Sequence, residues 1–405
     1  MARAPGTTTG GAPVEFDPFS PVFFNDPYPV YRRLRDEAPV YHNERYGFWA
    51  LSRYEDVVTA HRDWETYTST HGLDLVTLTK DEPVPPSMIM MDPPEHHRMR
   101  LLVSKVFSPR AIAGLEPMVR QVIGEVLDDL GPRPSFDAVA DFAGPFPVEV
   151  ISRMLGIPAA DRQQIRHWAD EFLTREVGAT EWSEEAQRAI LEFSTYLYHL
   201  VVAKRDRPGD DMLSRLCHAE VLRDDGETTA LDDIEITGFA TLLAGAGAET
   251  VTKLMANAVV LFARHPNEWA KVLATPGRIP GAVEEILRFW APSQYQGRFS
   301  TKARTFHGVT VPAGEPVLLI TGSALRDERN FDDPDRFDID RSPGLAVGFG
   351  HGIHTCLGAA LARLESRVAI EEWAARWPRY QVDEAGLRRV QMANVAGYSN
   401  VPVTV

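Results

Sequence analysis

The segment Phe349-Gly350-His351-Gly352-Ile353-His354-Thr355-Cys356-Leu357-Gly358 constrains this chain more than any other stretch. Three glycines in ten residues exclude a regular helix or strand there and let the backbone pass close to another group. The residues that follow, Ala359-Ala360-Leu361-Ala362-Arg363-Leu364-Glu365, are strong helix formers. Cys356 therefore stands at or just before a helix N-terminus, where free N–H groups and the dipole favour a thiolate over a thiol. On local chemistry three readings stand close together. Cys356 is a buried structural cysteine, a nucleophile beside His354, or the thiolate ligand of a haem iron, pushing electron density toward bound oxygen.

Composition narrows the setting. A chain of 405 residues, 44% of them hydrophobic, exceeds the usual single-domain length, so it is two domains or one large domain organised around a cofactor. No linker, charge block or repeat divides it, and residues 14–405 are read as one domain. Residues 1–13, rich in Gly, Thr and Ala, read as a disordered tail rather than a signal peptide. A formal charge of −15 argues against a general nucleic-acid binder and suits an acidic cytoplasmic surface. The two cysteines, Cys217 and Cys356, have no Cys-x-x-Cys spacing, which fits a reducing compartment and makes a structural zinc or disulfide framework a poor reading. The apolar run Ala258–Ala263 is too short to span a bilayer, so no membrane anchor is expected.

Helical periodicity dominates, with helices expected near 27–36, 109–130, 147–155, 161–176, 183–205, 233–264, 280–289 and 357–376. Strand-like runs are Pro39–His42 with Phe48–Ser52, Thr310–Val311 with Val317–Ile320, and short pieces between Tyr380 and Val405. Pro312-Ala313-Gly314 has turn chemistry, so a hairpin is expected between the second pair. Cys217 falls in an apolar pattern and reads as core.

Three more constellations carry chemistry. Ala244-Gly245-Ala246-Gly247-Ala248-Glu249-Thr250 puts two glycines mid-helix, each costing about 1 kcal/mol relative to alanine. Either tight helix packing or the approach of a flat ligand would compensate. Ala246 and Thr250 share a face, so the hydroxyl borders the small-residue gap, where it could donate to bound oxygen while Glu249 relays protons from solvent. Glu285 and Arg288, three apart, are by themselves an ordinary solvated pair. His96 and Arg100, four apart after Asp92-Pro93-Pro94, could clamp an anion, or simply form a basic face.

Phe349-Gly-x-Gly-x-His-x-Cys-x-Gly358 resembles the haem signature of the cytochrome P450 family at all six fixed positions. Ala246-Gly247-Ala248-Glu249-Thr250 resembles its oxygen-activation motif, with Val251 where a second hydroxyl residue is common. Phe331–Asp338 matches a family pattern that precedes the cysteine loop, whereas Leu325 departs from it where Asn is usual. The likeness runs from about Asp17 to the C-terminus.

It implies a mainly α fold with small antiparallel sheets and haem b between a long distal helix and the cysteine loop. Cys356 would be the metal ligand and Glu249 and Thr250 the proton-delivering pair. His96, Arg100, Arg298 and His354, with Phe349, would hold the haem, and Glu285–Arg288 would be a buried brace. The implied activity is a monooxygenase acting on a small-to-medium apolar substrate. Electrons would come from a ferredoxin or flavodoxin and its reductase, so that NAD(P)H acts only indirectly, and Arg363 and Arg367 would add positive charge where such partners dock. Segments 71–90, 168–185 and 291–296, with Tyr398, would face substrate. A peroxide-driven peroxygenase or a non-catalytic haem sensor are the competing readings; neither needs Glu249-Thr250.

Overall fold

The expected helices are realised in the computed structural model, which describes residues 12–79, 87–104, 106–222, 226–342, 344, 347–392 and 394–405. Most of the expected N-terminal tail lies outside the described residues. Ten helices position the site: α1 (Tyr28–Glu37), α2 (Tyr54–Arg62), α3 (Glu95–Ser104), α4 (Glu116–Asp129), α5 (Pro145–Leu155), α6 (Arg162–Leu173), α7 (Glu184–Asp206), α8 (Asp233–Arg264), α9 (Ile279–Phe289) and α10 (Ala359–Arg376).

Helix α8 is the axis. Its start is fixed by a capping box: Glu235 N–H donates to Asp232 Oδ1 at 2.8 Å and Asp232 N–H donates to Glu235 Oε2 at 2.9 Å. From Ile236 to Phe262 it is buried along most of its length, with α5, α6 and α7 packed on it and α9 and α10 also against it. A helix apolar on nearly all sides belongs in the centre of a large core. Cys217 is core as expected, its thiol 3.7 Å from the Val201 carbonyl.

The largest sheet has five strands in the order Val40–Asn43, Phe48–Leu51, Pro316–Leu319, Gln296–Ser300, Tyr67–Thr68. Smaller sheets join Ser135–Asp137 to the C-terminal strands, and Arg388–Arg389 to Tyr398–Asn400. Among the described residues no helix is long and apolar enough to cross a membrane.

Three expectations are corrected. The helix expected over 109–130 is two, Pro109–Ala113 and Glu116–Asp129, because Gly114 ends the first and Pro117 sits in the first turn of the second. Helix α6 stops at Leu173 rather than 176, since the Arg175 N–H is drawn to the Gln391 carbonyl at 2.6 Å. Thr310–Val311 does not pair with Val317–Ile320. Val309–Val311 folds back on Arg304–Phe306 through His307 and Gly308, both at positive φ, as a two-residue primed turn requires. Pro316–Leu319 is instead a central strand between Phe48–Leu51 and Gln296–Ser300.

Candidate active site

The cysteine loop is shaped by its glycines. Gly350 and Gly352 have φ of +70° and +71°, and a Cβ on Gly352 would lie 2.2 Å from the His61 carbonyl oxygen of α2. Only glycine permits that backbone and that approach. The loop closes on itself through Cys356 N–H to the Phe349 carbonyl at 2.8 Å, and Gly348 abuts Leu287 of α9. The Arg363 guanidinium lies 4.6 Å from the centre of the Phe349 ring. Cys356 is accessible although protein surrounds it, as befits a group on an internal wall. Burial pushes its thiol up, outweighing the Gly358 N–H and the charges of Arg100 and Arg363. The helix start alone therefore does not make a thiolate; a cation at the sulfur would.

Beside this loop stand donors that the protein itself leaves unused. The rings of His96 and His354 are 4.3 Å apart, and Arg100 donates to the Thr355 carbonyl at 2.5 Å, which joins α3 to the loop. Arg298 is buried, and its hydrogen bond among the described residues is to the carbonyl of its neighbour Gly297 at 2.6 Å. Both ring nitrogens of His96 and Nε2 of His354 are buried without a partner. Burial, then Arg298, lowers His354 to about 2, and burial, then Arg100, lowers His96 to about 4. The four side chains expected to hold the haem are thus two arginines and two neutral histidines. Buried donors without acceptors are costly unless something accepts from them. A ligand bearing carboxylates fits this set. His97, the chain neighbour of His96, is exposed.

On α8 the two glycines serve helix packing. A Cβ on Gly247 would lie 3.4 Å from Ile151 of α5, and one on Gly245 would lie 3.9 Å from Phe193 of α7. Ala246 is exposed and Thr250 half-buried within an otherwise buried stretch, so this face borders open space. The Thr250 hydroxyl donates to the Ala246 carbonyl at 3.0 Å. Glu249 points elsewhere. It is 2% exposed, with Lys253 Nζ 2.9 Å from its Oε2, and it meets Asp170 of α6.

Sequence and fold comparisons agree with this arrangement. The cytochrome P450 family model matches residues 279–373. A putative cytochrome P450 123 of Mycobacterium tuberculosis (strain ATCC 25618 / H37Rv) is 44% identical over 399 residues, 98% of each chain. The chain belongs to the cytochrome P450 family. An erythromycin C-12 hydroxylase of Saccharopolyspora erythraea is 40% identical to this P450, over 91% of the chain and 92% of the relative. Among solved structures, a mutant P450 EryK in complex with erythromycin B superposes with a TM-score of 0.85 at 39% identity, covering 93% of this chain and 95% of that one. CYP109E1 from Bacillus megaterium, in complex with testosterone, gives 0.86 at 32% identity, over 94% and 98%. P450s are oxidoreductases that bind haem through a cysteine thiolate, and relatives here are named hydroxylases or epoxidases. This chain is accordingly a monooxygenase of that family.

Other expected features of the P450 find definite places. Glu285 and Arg288 are not a solvated pair: both are 3% exposed, joined by bonds of 2.7 and 2.8 Å, and Arg288 also donates to the Leu325 and Pro334 carbonyls. Leu325 packs in an apolar cluster, so the missing Asn is absorbed while its backbone carbonyl stays in use. Arg363 is paired with Glu284, and Arg367 with Glu116 and Glu371, so the positive charge they add to that face is largely compensated.

Several residues expected to face substrate are instead packed. Leu75, Leu78 and Tyr295 belong to an apolar cluster with Phe23 and Tyr31, and Tyr398 lies beneath Arg389. Residues 80–86 of the expected distal loop lie outside the described residues. The sequence reading missed His61, buried with both ring nitrogens unpartnered, and the groups around Glu249. Lys253 was legible as the i+4 partner of Glu249; Asp170 and Arg166, on another helix, left no local signal.

Proposed function

We propose that Cys356 would be the thiolate ligand of haem b in a single haem domain spanning residues 14–405. The chain would insert one oxygen atom of dioxygen into a small-to-medium apolar substrate. The observation that carries this reading is the convergence of His96, His354, Arg100 and Arg298, two of them with unused buried donors, beside the one cysteine held in a glycine loop. When bound, the haem supplies dioxygen activation and the oxidising equivalent.

The residues of the chain do the rest. The two arginines and two neutral histidines would hold the haem carboxylates, and the Phe349 ring at the start of the loop lies against the Arg363 guanidinium. Thr250 Oγ1, now bonded to the Ala246 carbonyl, turns its proton toward the open face, and Glu249 replenishes it by swinging from Lys253 toward that face. Electrons come from a separate ferredoxin or flavodoxin and its reductase in the cytoplasm, with NAD(P)H as the ultimate donor. The pairing of Arg363 and Arg367 with carboxylates makes their contribution to docking smaller than their charge suggests. A hydroxylase of erythromycin and a P450 in complex with testosterone are among the similar proteins, so macrolides and steroids are the apolar compounds to test first.

The reduced carbon monoxide spectrum tests the ligand: its thiolate-type Soret band should disappear in Cys356→Ala. Retention of that band would refute the assignment. In Thr250→Ala, NAD(P)H consumption should persist while peroxide release rises; fully coupled turnover in this variant would remove Thr250 from the proton path. A spin-shift screen with macrolides and steroids identifies the substrate class.

A further inference from the structure

A void of about 10 Å³ lies where the start of α1, the middle of α8 and the residues after α9 meet. Its walls include Tyr28, Asn257, Trp290, Gln294, Arg389 and Ala396. Three side-chain oxygens on these walls are buried and have no hydrogen-bond partner among the described residues: Tyr28 OH, Asn257 Oδ1 and Gln294 Oε1. Asn257 and Gln294 are each 1% exposed. Three unpaired polar atoms around one space in a core are costly, and buried groups of this kind are nearly always satisfied.

The two amides are oriented by their other ends. Asn257 Nδ2 donates to the Trp290 carbonyl at 3.1 Å, and Gln294 Nε2 donates to the Ala291 carbonyl at 2.7 Å. Turning either amide over would set an oxygen against a carbonyl, so both unpartnered atoms are acceptors. Gly322 leaves room for one of them, since a Cβ there would lie 2.2 Å from Gln294 Oε1. The Tyr28 hydroxyl can give or take. Burial raises it, opposed by Arg326 and then by Gln294, so that amide is close without reaching hydrogen-bond geometry.

The space and the atoms around it select a small neutral occupant. Its volume suits a single water molecule. Water can donate to Asn257 Oδ1 and to Gln294 Oε1 while it accepts from Tyr28 OH. A cation would also suit the oxygens, but positive charge already stands there. The Arg389 guanidinium lines the void, stacked 4.4 Å from the ring centre of Trp290 and 4.0 Å from that of Tyr398. Arg326 lies 4.2 Å from the centre of the Tyr28 ring. An anion would face two carbonyl-type oxygens.

We propose that this void binds one ordered water molecule, which ties α1 and α8 to the stretch leading from Gln294 to Arg298. The Gln294 backbone is itself a junction: its N–H donates to the Asn394 carbonyl at 2.8 Å and its carbonyl accepts the Gly322 N–H at 2.9 Å. The water thus fixes the side chain of a residue whose main chain already joins two other segments.

Crystals of the holoenzyme soaked in rubidium chloride test the occupant. One peak of water density should lie within about 2.7–3.2 Å of all three oxygens, without anomalous signal. A dry void, or an anomalous rubidium peak within it, overturns the proposal. Tyr28→Phe supplies a second arm, because it removes the hydroxyl and keeps the ring. If that hydroxyl bonds the water, amide exchange in residues 294–298 should quicken roughly fivefold, with residues 240–245 of α8 unchanged. In a dry void the same substitution relieves an unpaired polar group, and exchange in residues 294–298 stays the same or slows. That result overturns the proposal, as does equal quickening in α8, which would report a general loss of stability rather than a local tie.

Discussion

Single residues here are tuned more by burial than by charged neighbours, and the histidines show it. His61 is lowered to about 3, first by burial and then by Arg298, and His96 to about 4. Both are therefore neutral near pH 7, and each can donate one N–H to a carboxylate while accepting at the other nitrogen. The consequence for stability has a definite sign. The unfolded chain protonates a histidine near pH 6.5, whereas the folded chain resists until much lower pH, so the unfolded state binds more protons in between. Stability therefore falls as pH drops from about 6.5 toward 3, by about 1.4 kcal/mol per pH unit for a histidine well inside that window. Asp170 works in the opposite sense: its value, raised from 3.8 to about 8, makes the folded state the better proton binder between those two values. In His61→Gln the contribution of one buried histidine is gone. Urea unfolding of the apoprotein at pH 6 and at pH 5 should show a loss of stability smaller by about 1 kcal/mol in the variant than in the wild type. An identical loss in both would mean that His61 is not held neutral.

At the scale of elements, glycines that look alike in sequence do opposite things. Gly245 and Gly247 sit inside α8 with helical backbone and with ordinary contact distances, 3.9 and 3.4 Å, waiting for a Cβ. Gly352 has a positive φ and a carbonyl oxygen 2.2 Å from where its Cβ would be. Gly245→Ala should raise stability by about 0.5–1 kcal/mol through helix propensity. Gly352→Ala should destabilise by at least about 1 kcal/mol and loosen the loop that carries Cys356. Thermal unfolding of the two variants checks both, and a shift of the same sign in each would contradict the account.

The same contrast shows what was legible beforehand. The long helix near 233–264, the glycine loop and the i+4 spacing of Ala246 and Thr250 are local patterns, and each was found in place. The hairpin assigned to Pro312-Ala313-Gly314 failed because strand partners are chosen by distant segments. Pro316–Leu319 finds a parallel neighbour in Phe48–Leu51, far earlier in the chain. For the same reason spacing alone left Glu285–Arg288 as an ordinary solvated pair, and only the family resemblance marked it as the buried brace that the carbonyls of Leu325 and Pro334 complete; Asp170 could not be linked to Glu249 from spacing.

Across the whole molecule, the segment after α6 is tied to three distant parts of the chain, and the ties share a buried ion pair. Arg175 Nη2 is 3.4 Å from Asp74 Oδ2, with the two side chains 4% and 14% exposed. Its backbone N–H holds the Gln391 carbonyl, and Gly178 N–H donates to the Phe19 carbonyl at 2.9 Å. Asp74 belongs to a segment that is itself fixed, since Gly297 N–H donates to the Leu73 carbonyl at 2.8 Å immediately before Arg298. One carboxylate thus does two tasks: Oδ1 caps the short helix Leu75–Leu78 by accepting the Thr77 N–H at 2.9 Å, and Oδ2 meets Arg175. Asp74→Asn separates them, because asparagine caps as well as aspartate but carries no charge. Arg175 keeps its bonds to the Phe172 and Thr174 carbonyls, so it is not stranded, and the loss should be about 1 kcal/mol rather than the several that a fully orphaned buried charge costs. Expressed as local opening, amide exchange in residues 174–178 and 72–78 should quicken roughly fivefold, with the core of α8 unchanged. Uniformly faster exchange would mean that the substitution destabilises the whole fold; no change in residues 174–178 would mean that the ion pair does not hold the segment.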